Sequence, residues 1–145
     1  MTSAAPQDRI QRLRRASIFA SAPDNVLAAV AEAVEEVRLA PNQQLFAKGD
    51  PGTSMYVIVA GLVRVHIGDQ TIVELSDGEM VGELAALDPG PRSASVSAID
   101  PSTLYQIDQL TLQGLMADHP EIVQGIIKEL AHRLRVTTAP YGFSF

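Results

Sequence analysis

The 145-residue sequence contains no cysteine and no tryptophan, and aromatic residues make up only 5% of it. The absence of cysteine excludes disulfides, thiolate metal sites and cysteine catalysis, and it is consistent with a cytoplasmic protein. No run of about 20 apolar residues occurs, so we expect no membrane span. No long apolar segment follows the N-terminal arginines either, so we expect no secretory signal.

Basic residues are also scarce, with 11 lysines and arginines against 17 acidic residues and a formal net charge of −6. This balance argues against a nucleic-acid-binding domain, because DNA affinity depends on neutralising phosphates. Arg9, Arg12, Arg14 and Arg15 cluster near the N-terminus, and we interpret them as the solvated face of a helix. The segment Leu13–Ile18 resembles a substrate site of a basophilic kinase, but an arginine-rich helix end accounts for the same residues.

Helical spacing of apolar residues occurs at both ends of the chain. The predicted helices cover residues 8–17, Pro23–Val34, Gln109–Ala117 and a last segment that begins at His119-Pro120 and continues to about Thr138. Pro140 is expected to end the last helix. The length is that of one domain, and 46% hydrophobic residues are enough for a packed core.

Between these helices, short runs rich in valine, isoleucine and leucine are separated by glycine turns. This pattern is typical of an antiparallel barrel or jelly roll. The predicted strands are residues 44–46, 55–60, 62–67, 70–75, 93–99 and 103–107. The sequence therefore predicts a single α+β domain over residues 1–145 that contains a small β-roll.

The most informative segments are Val81–Leu87 and, five residues later, Arg92–Val96. They place the acidic side chain of Glu83 and the basic side chain of Arg92 around a loop of small residues. Small residues let the backbone approach a ligand closely. The guanidinium of arginine matches phosphate oxygens, and a nearby carboxylate can accept a hydrogen bond from a hydroxyl. These groups suit a sugar phosphate with one charge and a free hydroxyl, such as a cyclic nucleotide.

The same two segments resemble the phosphate-binding cassette of the cyclic-nucleotide-binding domain family. Gly49-Asp50-Pro51-Gly52, followed by Met55–Val59 and Gly61, is similar to the turn between the second and third strands of that family. The resemblance covers about residues 9–138 and leaves 139–145 as a tail. It implies an eight-stranded antiparallel β-roll, flanked by N-terminal helices and two C-terminal helices.

The resemblance also implies the roles of individual residues. Arg92 is expected to bind the cyclic phosphate, and Glu83 is expected to accept a hydrogen bond from the ribose 2′-hydroxyl. The expected ligand-binding residues are Gly82, Glu83, Leu84, Ala85, Arg92, Ser93 and Ala94. The expected base pocket comprises Val73, Leu75, Met80, Val81, Arg133, Thr137 and Thr138. Pro140 departs from the family pattern, because in members of the family this helix continues.

By this resemblance the chain is a non-enzymatic sensor of cAMP or cGMP, and we favour cAMP. Movement of the C-terminal helix is expected to relay binding to an effector protein or a fused effector domain. The alternative is an interaction module of the same fold with little or no nucleotide binding. A metal site is not expected, because His66, His119 and His132 are scattered. No cofactor besides the nucleotide is implied, and the oligomeric state stays open.

Overall fold

The computed structural model describes residues 6–138, except for the side chains of Pro6, Leu84, Thr137 and Thr138. Within this range the helices are α1 (Pro6–Arg14), a 3₁₀ turn (Ser17–Phe19), α2 (Asp24–Ala33), α3 (Glu83–Leu87), α4 (Gln109–Asp118) and α5 (Pro120–Thr138). The strands are β1 (Glu35–Leu39), β2 (Gln44–Phe46), β3 (Pro51–Gly52), β4 (Ser54–Ala60), β5 (Leu62–Ile67), β6 (Gln70–Ser76), β7 (Met80–Val81), β8 (Gly90–Pro91), β9 (Ser95–Ala98) and β10 (Ser102–Asp108).

The strands form an antiparallel roll. One four-stranded sheet has the order β1-β10-β4-β7, the other has the order β2-β9-β5-β6, and β3 pairs with β8 in a separate two-stranded ladder. All pairings are antiparallel. The α+β class and the β-roll are therefore confirmed.

Strand β4 is the central element of the roll. Six consecutive residues, Ser54–Val59, are buried, and because side chains alternate along a strand they supply two separate cores. Met55 and Val57 pack on the side of the helices, together with residues of α1, α2, α4 and α5. Tyr56 and Ile58 pack inside the roll, against β5, β6, β9 and β10. The strand therefore packs against the helical layer on one side and the interior of the roll on the other.

The first half of α5 is anchored on the N-terminal segment. Ile122 and Ile126 are buried, as their helical spacing predicts. Gly125 lies so close to the carbonyl oxygen of Ile18 that a Cβ at this position would overlap it. This anchoring directs the second half of the helix over the open end of the roll.

The helix boundaries differ slightly from the sequence-based predictions. Helix α1 ends at Arg14, short of the predicted residue 17, because Ala16 is extended with ψ near 132°. Helix α4 begins as predicted, with Asp108 accepting a hydrogen bond from the Thr111 amide at 2.8 Å. The predicted stop at Pro140 lies outside the described residues. None of the helices within 6–138 is both long and apolar enough to span a bilayer.

Candidate functional site

A cavity of about 620 Å³ lies between the roll and α5. Its size falls within the roughly 300–1,000 Å³ that is usual for small-ligand sites. Val65, Val73 and Leu75 contribute to an apolar wall on one side. Helix α3 and the loop before β9 add polar groups, and α5 covers the opening with residues at helical spacing, namely Glu129, His132, Arg133 and Val136.

Arg92 extends along one wall of this cavity and is only 8% exposed. Its Cζ atom lies 4.1 Å from the centre of the Phe46 ring, which is a cation–π distance. Its Nη1 atom donates to the carbonyl oxygen of Gly82 at 3.4 Å. Its Nε atom is buried and has no hydrogen-bond partner among the described residues.

No carboxylate within the described part of the chain forms an ion pair with Arg92. Burial lowers the pKa of Arg92 from its ordinary value, while Tyr56, Asp50 and Glu83 oppose that shift at longer range. An arginine remains protonated at neutral pH despite such a shift. The cavity wall therefore carries a buried positive charge without a direct counter-ion, and this arrangement can bind an anionic small molecule.

The two motifs that are distant in the sequence meet at Arg92. Its amide donates to the carbonyl of Asp50 at 2.8 Å, and its carbonyl accepts from the amide of Gly49 at 2.8 Å. A Cβ at Gly52 would overlap Nε of Arg92, and a Cβ at Gly82 would lie 2.7 Å from Nη1. The glycines of both motifs therefore make room for one arginine side chain.

Glu83 lies at the start of α3 and is 8% exposed. Its Oε1 atom accepts a hydrogen bond from Nη1 of Arg133 at 2.7 Å. Nη2 of Arg133 donates to the carbonyl of Met80. A residue on the covering helix is thus bonded directly to the carboxylate in the cavity.

Most of the residues predicted for the site come together in the structure. The predicted ligand-binding residues with described side chains all line the cavity, namely Gly82, Glu83, Ala85, Arg92, Ser93 and Ala94. The predicted base-pocket residues that line it are Val73, Leu75, Val81 and Arg133. The side chains of Leu84, Thr137 and Thr138 lie outside the described residues.

Met80 was expected in the base pocket but is placed elsewhere. Its side chain is 1% exposed and belongs to the core on the side of the helices, whereas Val81 belongs to the core of the roll. Neighbouring residues of a strand face opposite sides, so both cannot line the same cavity. Only the carbonyl oxygen of Met80 is used near the site, as the acceptor for Arg133.

Some residues that line the cavity were missed in the sequence, among them Phe46, Glu129 and His132. Phe46 stacks under Arg92, and Glu129 and His132 project from α5. Glu129 could have been found, because it lies four residues before Arg133 and therefore on the same face of the helix. For Phe46 no signal was available, since its contact with Arg92 depends on the tertiary fold.

Both ring nitrogens of His66 are engaged in hydrogen bonds, so this residue gives no indication of a metal site. It is buried on β5, its Nδ1 lies 2.7 Å from the carbonyl oxygen of Gly68, and its Nε2 lies 2.8 Å from Oγ of Ser97. Because a carbonyl can only accept, Nδ1 is the donor in the first contact. Across residues 6–138, no three histidine or acidic side chains are grouped as metal ligands would be.

Comparison with known proteins gives the family. The family model described as "Cyclic nucleotide-binding domain" matches residues 36–119, and the chain belongs to this family. A similar protein is the CRP-like cAMP-activated global transcriptional regulator of Mycobacterium tuberculosis, which is 32% identical over 130 residues. The match covers 86% of this chain and 58% of the relative, so the chain spans little more than half of that protein.

Solved structures agree with this family. The N-terminal domain of a transcriptional regulator from Streptomyces coelicolor has a TM-score of 0.73 at 31% identity, over 91% of this chain and 96% of that one. The catabolite activator protein of Thermus thermophilus has a TM-score of 0.78 at 26% identity, over 87% of this chain and 62% of that one.

Proposed function

We propose that the chain is a cyclic-nucleotide sensor that binds the cyclic phosphate at Arg92. The observation that carries this proposal is the buried guanidinium, without a carboxylate partner among residues 6–138, beside a cavity of ligand size. Burying a charge is costly unless it is paired. A cyclic phosphate carries one negative charge near neutral pH, so it would provide the missing pair.

Glu83 would bind the ribose. Its Oε1 atom accepts a hydrogen bond from Arg133, and a carboxylate offers about four lone-pair positions. The second oxygen can accept a hydrogen bond from the 2′-hydroxyl. A hydrogen bond to a charged group contributes roughly 1.5–3 kcal/mol, enough to distinguish a cyclic ribonucleotide from its 2′-deoxy analogue.

The remaining cassette residues would bind through their backbones. Gly82 precedes α3, and the amides of Leu84 and Ala85 lie in its first turn, where N–H groups are available to an anion. Ser93 would add its hydroxyl and Ala94 its amide. Both lie on the cavity wall next to Arg92.

The base would lie against the apolar wall formed by Val73, Leu75 and Val81, under α5. We favour cAMP over cGMP, and the likeness to a cAMP-activated regulator supports this preference. Thr137 and Thr138 remain proposed partners of the base. Their place at the end of α5 would put them beyond Val136, which lines the cavity.

The proposed relay uses α5. Arg133 connects this helix to Glu83, so a ligand at Glu83 can alter the position of the helix if it binds one position more tightly than another. The signal would pass to an effector protein or a fused effector domain, with no catalytic step. The share of the Mycobacterium tuberculosis relative that extends beyond the match is consistent with a fused domain.

The test is isothermal titration calorimetry of the purified chain with cAMP and with cGMP. Arg92→Ala is the test variant, and Arg38→Ala, at an ion pair with Glu36 outside the cavity, is the control. Micromolar or tighter binding is expected, with a loss of roughly 2–5 kcal/mol in the Arg92 variant alone. If the folded chain binds neither nucleotide, it is instead an interaction module of the same fold.

A further inference from the structure

A chain of polar side chains leads from the cavity to the N-terminal segment. Glu83 accepts from Nη1 of Arg133 at 2.7 Å. On the other edge of the guanidinium, Nε of Arg133 lies 3.4 Å from Oε1 of Glu129. The second oxygen of Glu129 accepts a hydrogen bond from Oγ of Ser17 at 2.9 Å. The carboxylate in the cavity is thus connected to a residue of the 3₁₀ turn.

Glu129 and Glu83 do not compete for Arg133. The guanidinium is planar and rigid, and each of its nitrogen atoms contacts a different acceptor, with Nη2 bonded to the carbonyl of Met80. Fixing the direction of Nε therefore also fixes the direction of Nη1. A carboxylate at position 129 restrains the same guanidinium that orients Glu83.

The ion pair between Glu129 and Arg133 is not an ordinary surface pair. The side chains are 13% and 27% exposed, respectively. Ion pairs that contribute little to stability are generally exposed to solvent. Ser17 is itself exposed, but its hydroxyl belongs to a segment that is tightly packed against α5 through Ile18 and Gly125. Ser17 can therefore hold Glu129 in a defined position.

We propose that Glu129 is a positioning residue that determines the selectivity of the site for the ribose 2′-hydroxyl. It acts by orienting Arg133, which orients Glu83, and Ser17 holds Glu129 in place. The inference rests on the proposed function, because it assumes that Glu83 binds the ribose. It also makes the N-terminal segment part of the recognition site, although that segment lies outside the cavity.

The experiment measures the Kd of cAMP and of 2′-deoxy-cAMP by calorimetry. Glu129→Met removes the charge and both acceptors, whereas Glu129→Gln keeps an acceptor for Arg133. The matched control is Glu121→Met, which changes an exposed glutamate on the same helix outside the cavity. Thermal melting of each variant establishes that it is folded.

Glu129→Met is expected to raise the Kd of cAMP about fivefold, equivalent to about 1 kcal/mol. The Kd of 2′-deoxy-cAMP should change by less than about twofold, because this ligand makes no hydrogen bond to Glu83. Glu129→Gln should retain most of the selectivity for cAMP over 2′-deoxy-cAMP, and Glu121→Met should retain all of it. Ser17→Ala should raise the Kd of cAMP about twofold. It should have no further effect in the Glu129→Met background, because Ser17 acts through Glu129.

Equal weakening of both ligands by Glu129→Met would overturn the proposal, since it would indicate general loosening of α5. Unchanged binding of both ligands would overturn it as well. A wild-type chain that binds cAMP through Arg92 but shows either of these results would refute only this inference. A wild-type chain that does not bind cAMP would refute the proposed function and this inference together.

Discussion

Replacing Arg92 with methionine separates its contribution to ligand binding from its contribution to folding. Methionine is unbranched and flexible, so it can fill most of the space between Phe46 and the cavity wall. The substitution removes one partner of the proposed charge pair with the ligand, and such a loss costs roughly 2–5 kcal/mol of binding free energy. At tenfold per 1.4 kcal/mol this is a loss of about 30-fold to several thousandfold in affinity.

The stability of the ligand-free chain should respond differently. The cation–π contact with Phe46 at 4.1 Å is worth roughly 0.5–2 kcal/mol. Two features of Arg92 oppose this contribution: within the described part of the chain its buried charge has no carboxylate partner, and its Nε atom has no hydrogen-bond partner. An unpaired buried polar group costs roughly 1–3 kcal/mol. These opposing effects are of similar size, so Arg92→Met should change the free energy of unfolding by no more than about 1 kcal/mol.

The assay combines urea unfolding of the ligand-free chain with calorimetric titration of cAMP. Arg38→Met is the control, because Arg38 forms an ion pair with Glu36 and does not line the cavity. A fall of several kcal/mol in the stability of Arg92→Met would refute the reasoning. Arg92 would then be a structural residue, and any loss of binding would follow from the loss of the fold.

Other substitutions test neighbouring parts of the account. Gly52→Ala should weaken cAMP binding at least several-fold in calorimetry, because the new Cβ would overlap Nε of Arg92. Its control is Gly114→Ala, which has open space around it and should raise stability by about 0.5–1 kcal/mol without changing affinity. Gly125→Ala should lower the free energy of unfolding by roughly 1–3 kcal/mol, because its Cβ would overlap the carbonyl of the 3₁₀ turn; unchanged urea unfolding would contradict the tight packing. Glu83→Ala should reduce the preference for cAMP over 2′-deoxy-cAMP by roughly 1.5–3 kcal/mol, and a preserved Kd ratio would remove Glu83 from the ribose site.

The sequence was sufficient to predict those helices and strands whose local residue pattern matches their final structure. Helical spacing located α4 and α5, and runs rich in valine, isoleucine and leucine located β4 and β5. These elements are long enough for their periodicity to be seen in a single sequence. Glu83 and Arg92, which their chemistry and the family resemblance singled out in the sequence, both line the cavity.

Shorter elements could not be predicted in the same way. Strand β7 has two residues, too few for alternation to show that Val81 faces the cavity and Met80 faces the helices. Strand β1 begins Glu35-Glu36 and contains Arg38, so its composition does not resemble a buried strand. Its pairing with β10 stabilises it instead.

Tertiary contacts between distant residues could not be predicted either. The stacking of Arg92 on Phe46 and the hydrogen bond between Ser17 and Glu129 join segments far apart in the chain. Such contacts depend on how the roll closes and how α5 crosses the N-terminal segment. They determine how the cavity is held together, although most of the residues predicted for the site do line it.

The most direct test of the central claim is a crystal structure of the chain grown with cAMP. We expect the cyclic phosphate within hydrogen-bond distance of the Arg92 guanidinium and the 2′-hydroxyl on the carboxylate of Glu83. A nucleotide bound away from Arg92, or a cavity without nucleotide at saturating concentration, would contradict the account.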